Sequence, residues 1–323
     1  MKHSTSVSRR TFLKAFGAIG SAACAATVPT TAAAHRTSGE LMTVLDLSKC
    51  IGCGECVAAC NERNSHKYPK VAKPIPKMFP PRVKVEDWSE QQDVDDRLTP
   101  YNWLYIQTAD VEYNGEEYTI HIPRRCLHCV NPPCANLCPW GAARKEDSGI
   151  VRIDEDTCLG GAKCRTVCPW HIPQRQSGAG LYLDILPRFA GNGTMNKCDR
   201  CYDSLENGEE PACISACPEQ VQTIGPRGEM ISYAKELAHS MNGFLYGLEE
   251  NGGTNTIYVS PVPFDLLDNA IEKGKGRPHL SPVENSMAHE ETLTTALIAA
   301  PVAGLAAGVL KIVSDVRKES PHD

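Results

Sequence analysis

Aromatic residues are scarce in this 323-residue chain, at 6% of the total. A chain of that length ordinarily suggests two domains. So thin an aromatic supply suits an interior filled partly by something other than side chains. Basic charge is also short: 33 Lys and Arg face 39 Asp and Glu, a formal net charge of −6. That balance gives no nucleic-acid footprint. The phosphate loop of nucleotide enzymes, a dinucleotide fingerprint after a strand and the nucleophile elbow of hydrolases are all missing. The chain therefore reads as no enzyme by itself.

What is abundant is cysteine, with 16 residues. Fifteen fall into four tight groups: Cys50, Cys53, Cys56, Cys60; Cys126, Cys129, Cys134, Cys138; Cys158, Cys164, Cys168; and Cys198, Cys201, Cys213, Cys217. Cys24 stands apart, in a segment expected to be cleaved. Group one has the C-x2-C-x2-C-x3-C spacing of bacterial ferredoxins, in which three close thiolates hold one cluster and the fourth ligates its neighbour. Proline follows the last cysteine at Pro139, Pro169 and Pro218. Its fixed φ and missing N–H suit a turn or helix start; Asn61 takes that place in group one. Zinc ribbons also use C-x2-C arms, and exported proteins form disulfides. Neither needs a triplet plus a remote cysteine before proline, recurring along the chain. A redox sensor would need one labile cluster, whereas four in series make a wire for single electrons.

Group three departs from the pattern. In register with group one, Cys158 and Cys164 flank Gly161 where a cysteine is expected. Three thiolates favour a [3Fe–4S] cluster; the alternative is a [4Fe–4S] cluster whose fourth iron takes water or another side chain.

The two ends read as addresses. Ser8-Arg9-Arg10-Thr11-Phe12-Leu13-Lys14, the apolar stretch to Val28 and Ala32-Ala33-Ala34 match a twin-arginine export signal over 1–34. That route moves folded proteins, so clusters built in the cytoplasm cross intact. Thr292–Leu310 is 19 residues without charge, roughly 28 Å as a helix, close to the apolar thickness of a bilayer. Lys311, Arg317 and Lys318 follow it and place the tail in the cytoplasm. Gly304 and Gly308 suit close packing on a partner's helix. The expected order is thus 1–34 signal, 41–235 ferredoxin-like domain, 236–291 extended connecting segment, 292–313 transmembrane helix and 314–323 tail.

Between the ends lies a repeat: Cys138-Pro139-Trp140 recurs thirty residues on as Cys168-Pro169-Trp170. Ala142–Lys145 and Ile150–Asp154 flank Ser148-Gly149 and read as a hairpin. Tyr105–Tyr113 and Glu116–Ile122 flank Asn114-Gly115, a type I′ hairpin signal. Residues 67–82 are proline-rich and read as a surface loop. The fold class is α+β: an inner two-cluster module of groups two and three, interrupting an outer module of groups one and four. His128, between Cys126 and Cys129, is expected at an exposed loop position. His66, His121, His171 and His289 likewise read as surface residues rather than ligands.

The export signal, the four groups and the single C-terminal apolar run together resemble the four-cluster electron-transfer subunits of membrane respiratory oxidoreductases. The nearest likeness is to the membrane-anchored iron–sulfur subunit of hydrogenase-2-type [NiFe] hydrogenases. Gly252-Gly253-Thr254-Asn255-Thr256-Ile257-Tyr258-Val259 looks like a segment shared with the β subunit of formate dehydrogenases, the runner-up; cytochrome-linked and molybdoenzyme quinone oxidoreductases contain similar subunits. The resemblance implies one [4Fe–4S] cluster on Cys50, Cys53, Cys56 and Cys217, and a second on Cys126, Cys129, Cys134 and Cys168. A third would sit on Cys60, Cys198, Cys201 and Cys213, and a [3Fe–4S] cluster on Cys138, Cys158 and Cys164, inside the row. It further implies a periplasmic catalytic partner, a multi-span quinone-reactive membrane partner, and a place on the periplasmic side of the cytoplasmic membrane.

Overall fold

The computed structural model describes residues 39–188 and 191–289. The expected export signal (1–34) and transmembrane helix (292–313) lie outside the described residues. Among those described, no helix is long and apolar enough to cross a membrane. The chain opens with β1 (Leu41–Asp46) and the group-one loop, which runs into α1 (Glu55–Asn64). Gly52 and Gly54 take φ +70° and +82°; a Cβ on Gly52 would also stand 2.9 Å from the ring of His121. That close approach restricts the loop to glycine. A long segment with little regular structure leads to the hairpin of β2 (Tyr105–Tyr113) and β3 (Glu116–Arg124). Asn114 and Gly115 both have positive φ, as a type I′ turn requires.

The inner module comes next: α2 (Pro133–Asn136), the hairpin of β4 (Ala143–Lys145) and β5 (Val151–Ile153), and α3 (Lys163–Val167). Beyond it lie β6 (Gln174–Gln176), α4 (Leu181–Ile185) and β7 (Thr194–Asn196), with β6 and β7 antiparallel. Group four spans α5 (Tyr202–Glu206) and α6 (Ala212–Ser215). The described chain ends with β8 (Gln222–Pro226), α7 (Arg227–Ser240), β9 (Phe244–Tyr246), β10 (Thr256–Ser260) and α8 (Phe264–Ala270).

Here the sequence reading needs correction. Residues 236–289, the described part of the expected 236–291 segment, are no extended connector. They complete a four-stranded sheet of order β8-β1-β10-β9, in which β10 runs parallel to β1 with Thr43 opposite Thr256. Period-two alternation divides the side chains of that central pair. Met42, Val44, Ile257 and Val259 pack under Ala234 and Ala238 of α7. Leu45 and Tyr258 face the other way, into the main core with Cys56, Cys60, Cys126 and Cys198. The sheet is thus the floor on which the cysteine loops are laid.

The proline-rich loop is tied down by Gly178 and by Gly191, and the N–H of Gly191 donates to Lys77 O at 2.9 Å. Ala72 N–H donates to Gly178 O at 2.8 Å, and Ser177 N–H to Glu86 O at 2.8 Å. Burial opposes ionisation of Glu86, but hydrogen bonds from Arg165 and Lys275 and the charges of Arg165 and Arg175 outweigh it. They hold its carboxyl at about 2. Gly193, at φ +82°, has no room for a side chain: an added Cβ would stand 1.6 Å from Gln176 O. Gly193→Ala is expected to destabilise the protein by about 4 kcal/mol or more, read as a lower denaturation midpoint. Gly161→Ala, with nothing within 4 Å of the new Cβ, is the control expected to leave that midpoint nearly unchanged.

Candidate metal centres

The loops bring together cysteines distant in sequence. Cys50, Cys53 and Cys56 line one cavity with Cys217, Ile106, Pro123, Pro218 and Val221. Cys126, Cys129 and Cys134 line a second with Cys168, Leu127, Val151, Trp170 and Ile172. In both, a triplet from one group meets the last cysteine of another. A third gathering is held by α1 against α6: Asn64 Nδ2 lies 3.6 Å from Cys60 Sγ and 3.9 Å from Cys201 Sγ. Cys198, Cys213 and Cys201 are the thiols acting most strongly on Cys60. Cys164, finally, has Cys158, Cys134 and Cys138 as its thiol neighbours.

Burial opposes ionisation of the thiols. Burial, then repulsion by neighbouring thiolates, pushes Cys56 up to about 12. Burial is also the leading cause of the rise to about 11 at Cys134 and about 12 at Cys168 and Cys198. Such groups ionise when iron supplies the countercharge. Backbone donors already point at several sulfurs: Arg200 N–H to Cys198 at 3.3 Å, Met195 N–H to Cys158 at 3.3 Å, Ala143 N–H to Cys138 at 3.4 Å and Val221 N–H to Cys217 at 3.4 Å. Among the described residues, no three His, Cys, Asp or Glu side chains converge on a single-ion site. The donor set, the voids and the N–H donors all fit iron–sulfur clusters.

The junction between the modules was missed by sequence reasoning. Arg125, Lys197 and Arg200 are 2%, 5% and 1% exposed. Arg125 Nη1 donates to Cys213 Sγ at 2.8 Å, while its Nε and Nη2 have no acceptor in the protein. Arg200 spends its donors on Leu41 O, Asn255 O and Thr256 Oγ1, at 2.7–2.9 Å. Buried donors of this kind are seldom left without acceptors, and cluster sulfides would supply them. The one available signal was the basic residue directly before the first cysteine of groups one, two and four, which does not distinguish the exposed Lys49 from the buried Arg125 and Lys197.

His128 corrects another expectation. It is 0% exposed rather than at the surface. Val151 N–H donates to its Nδ1 at 3.0 Å, so the ring proton sits on Nε2, which lies 3.9 Å from Cys198 Sγ. Burial and the charges of Arg200, Lys197 and Arg125 hold the imidazole well below its ordinary value and neutral. The surface reading holds for His66, His171 and His289, which are exposed; His121 is half-buried.

The odd group also sits differently from expectation. Cys158 and Cys164 pack with Cys134, Val151 and Met195 in an apolar cluster of their own, with Cys138 beside it. The inner-module thiols in the main core, with Cys198 and Cys213, are Cys126, Cys129 and Cys168, and Cys126 acts directly on Cys198. The odd trio is therefore at an end of the series of thiol sets, not inside it. Its Gly161 is exposed, and a side chain added there would meet nothing within 4 Å.

Comparison with known proteins agrees with this chemistry. A 4Fe-4S dicluster domain matches residues 49–142, and another 4Fe-4S dicluster domain matches 118–227. A sulfite dehydrogenase subunit of Allochromatium vinosum is 30% identical over 193 residues, 58% of this chain and 68% of that protein. The hydrogenase-2 operon protein HybA of Escherichia coli O157:H7 is 28% identical, covering 71% and 73% respectively. The iron–sulfur subunit of the nitrate-inducible formate dehydrogenase of Escherichia coli K12 is 27% identical, covering 68% of each chain. Two dicluster domains on this sheet, with these relatives, show that the chain belongs to the ferredoxin-type iron–sulfur subunits that transfer electrons within respiratory oxidoreductases.

Proposed function

We propose that the chain is a four-cluster relay between a periplasmic catalytic partner and a quinone-reactive membrane partner. The observation that carries this reading is the crossing of thiols between groups. Cys217 completes the cavity of Cys50, Cys53 and Cys56, and Cys168 that of Cys126, Cys129 and Cys134. These two sets, and that of Cys60, Cys198, Cys201 and Cys213, take [4Fe–4S] clusters. Cys138, Cys158 and Cys164 take a [3Fe–4S] cluster, because no fourth thiol stands at Gly161. When bound, each cluster accepts and releases one electron; the protein fixes spacing, excludes water and sets charge.

Adjacency orders the relay. The Cys50 set neighbours the Cys60 set through α1, which carries both Cys56 and Cys60. The Cys60 set meets the Cys126 set at the junction, and the Cys126 set meets the odd trio through Cys134. The ends are then the two ports. Cys53 and Ile51 are exposed at one. Leu137 and Trp140, 43% and 62% exposed, flank Cys138 at the other.

The catalytic partner is a [NiFe] hydrogenase, supported by the similarity to HybA and by an export signal of the chain's own over 1–34. Residues 292–313 anchor the chain as a transmembrane helix, with 314–323 in the cytoplasm. Gentle solubilisation, purification through this chain and mass spectrometry of the co-purifying proteins test the reading. A hydrogenase pair with a multi-span membrane protein is the expected result. A molybdenum or tungsten formate dehydrogenase, which the similarity to the formate dehydrogenase iron–sulfur protein makes the second reading, would replace the hydrogenase and keep the relay.

A further inference from the structure

Groups two and four are built alike in one respect that cluster ligation does not require. A buried cation stands directly before the first cysteine of each, Arg125 before Cys126 and Lys197 before Cys198; the corresponding Lys49 of group one is exposed and pairs with Asp46. Arg125 and Lys197 are 2% and 5% exposed. Neither serves its own group's set alone. Arg125 Nη1 reaches across to Cys213 Sγ, 2.8 Å away in the other module. Lys197 crosses in the opposite direction. It lines the cavity of Cys126, Cys129, Cys134 and Cys168, and Cys126 is the thiol that acts on it most strongly. Its hydrogen bonds go to Val151 O and Cys198 O. Thiols, not carboxylates, are the anions foremost around each cation.

We propose that Arg125 and Lys197 are exchanged across the module junction, each setting the reduction potential of the cluster held mainly by the other's group. Reduction adds one electron and one negative charge to a cluster, and no bond is made or broken. A fixed cation at hydrogen-bond distance from a ligand sulfur stabilises the reduced form and raises the potential. Burial makes the effect large, because water does not screen it. The exchange also makes the two junction clusters interdependent. The segment that holds the first thiol of one carries the cation of the other, and His128 adds a second donor from the same segment towards Cys198. The middle of the relay is thereby raised in potential as a unit, so that electrons are held at the junction rather than at either port. At the odd end no cation acts foremost on Cys158 or Cys164; at the other end Arg125 also acts on Cys56, behind the thiols Cys213 and Cys50.

The inference rests on the four-cluster reading, and the test separates the two. Potentiometric EPR titrations of the purified full chain in its complex track each cluster, with signals assigned by Cys213→Ser and Cys126→Ser. Arg125→Met is expected to lower the potential of the Cys213 cluster most, and Lys197→Met that of the Cys126 cluster most. Arg125→Lys, which keeps the charge, is expected to restore much of the shift. Should Arg125→Met lose its cluster, Arg125→Lys and Lys197→Gln read the same crossed order with smaller shifts. Shifts confined to each residue's own group, or unchanged potentials at full iron content, overturn the exchange. Wild-type iron far below about fifteen atoms per chain would instead overturn the four-cluster reading.

Discussion

Gly161→Cys is expected to convert the odd centre from three irons to four. The position is exposed, lies in register between Cys158 and Cys164, and offers an added Cβ no clash within 4 Å. Gly160 beside it could not serve, since its Cβ would stand 2.4 Å from Gly193 O at φ +61°. A thiolate at 161 closes the vacant corner, and ligand count decides cluster type. Iron content should rise by about one atom per chain. The EPR signal of the oxidised protein, which a three-iron cluster gives and a four-iron cluster does not, should disappear. Potential should fall, because the cluster type changes and cluster type sets the range of potential. Retention of the oxidised signal in the variant would mean that the thiol at 161 does not close the corner, and absence of that signal from the wild-type protein would mean that another group fills it already.

Cys138→Ala is expected to remove the odd cluster while sparing the one built by its own group. Cys138 lies four residues after Cys134, yet Cys158 and Cys164 are its partners: it acts on both. Losing one of only three ligands leaves two thiolates, too few to retain iron, so about three irons per chain should be lost. Cys168→Ala gives the converse, loss at the Cys126 set with the odd signal retained. If Cys138→Ala depletes the Cys126 set first, each group holds its own cluster and the crossed scheme fails. Both variants are read by iron analysis and by the oxidised EPR signal, which report ligation independently of catalytic turnover.

Local chemistry was legible in the sequence. The Asn114-Gly115 turn, the hairpin around Ser148-Gly149 and the cysteine spacings each encode their conformation within a few residues. What was hidden is long-range. Strand β10 pairs with β1 across more than two hundred residues, Thr43 with Thr256, and nothing near Thr256 announces that partner. The same distance hid His128. Its ring is enclosed because Asn255 N–H bonds the carbonyls of Leu127 and His128, at 3.1 and 2.9 Å, and because Val151 supplies a donor to the ring. The position of the odd trio in the series depended likewise on which module face Cys126 occupies, a matter of packing rather than spacing.

The central strand carries a consequence for biogenesis. Both neighbours of β1, the strands Gln222–Pro226 and Thr256–Ser260, are made long after it. During synthesis, β1 therefore waits with both edges unpaired while every cysteine group emerges. Closing so large a loop is slow and costs chain entropy, and an unpaired strand is a template for wrong pairing. Iron delivery and sheet closure must then fall in the same late window, once residue 260 is available. Loss of the 256–260 strand would leave all four cysteine groups intact in sequence and the protein unable to keep its iron.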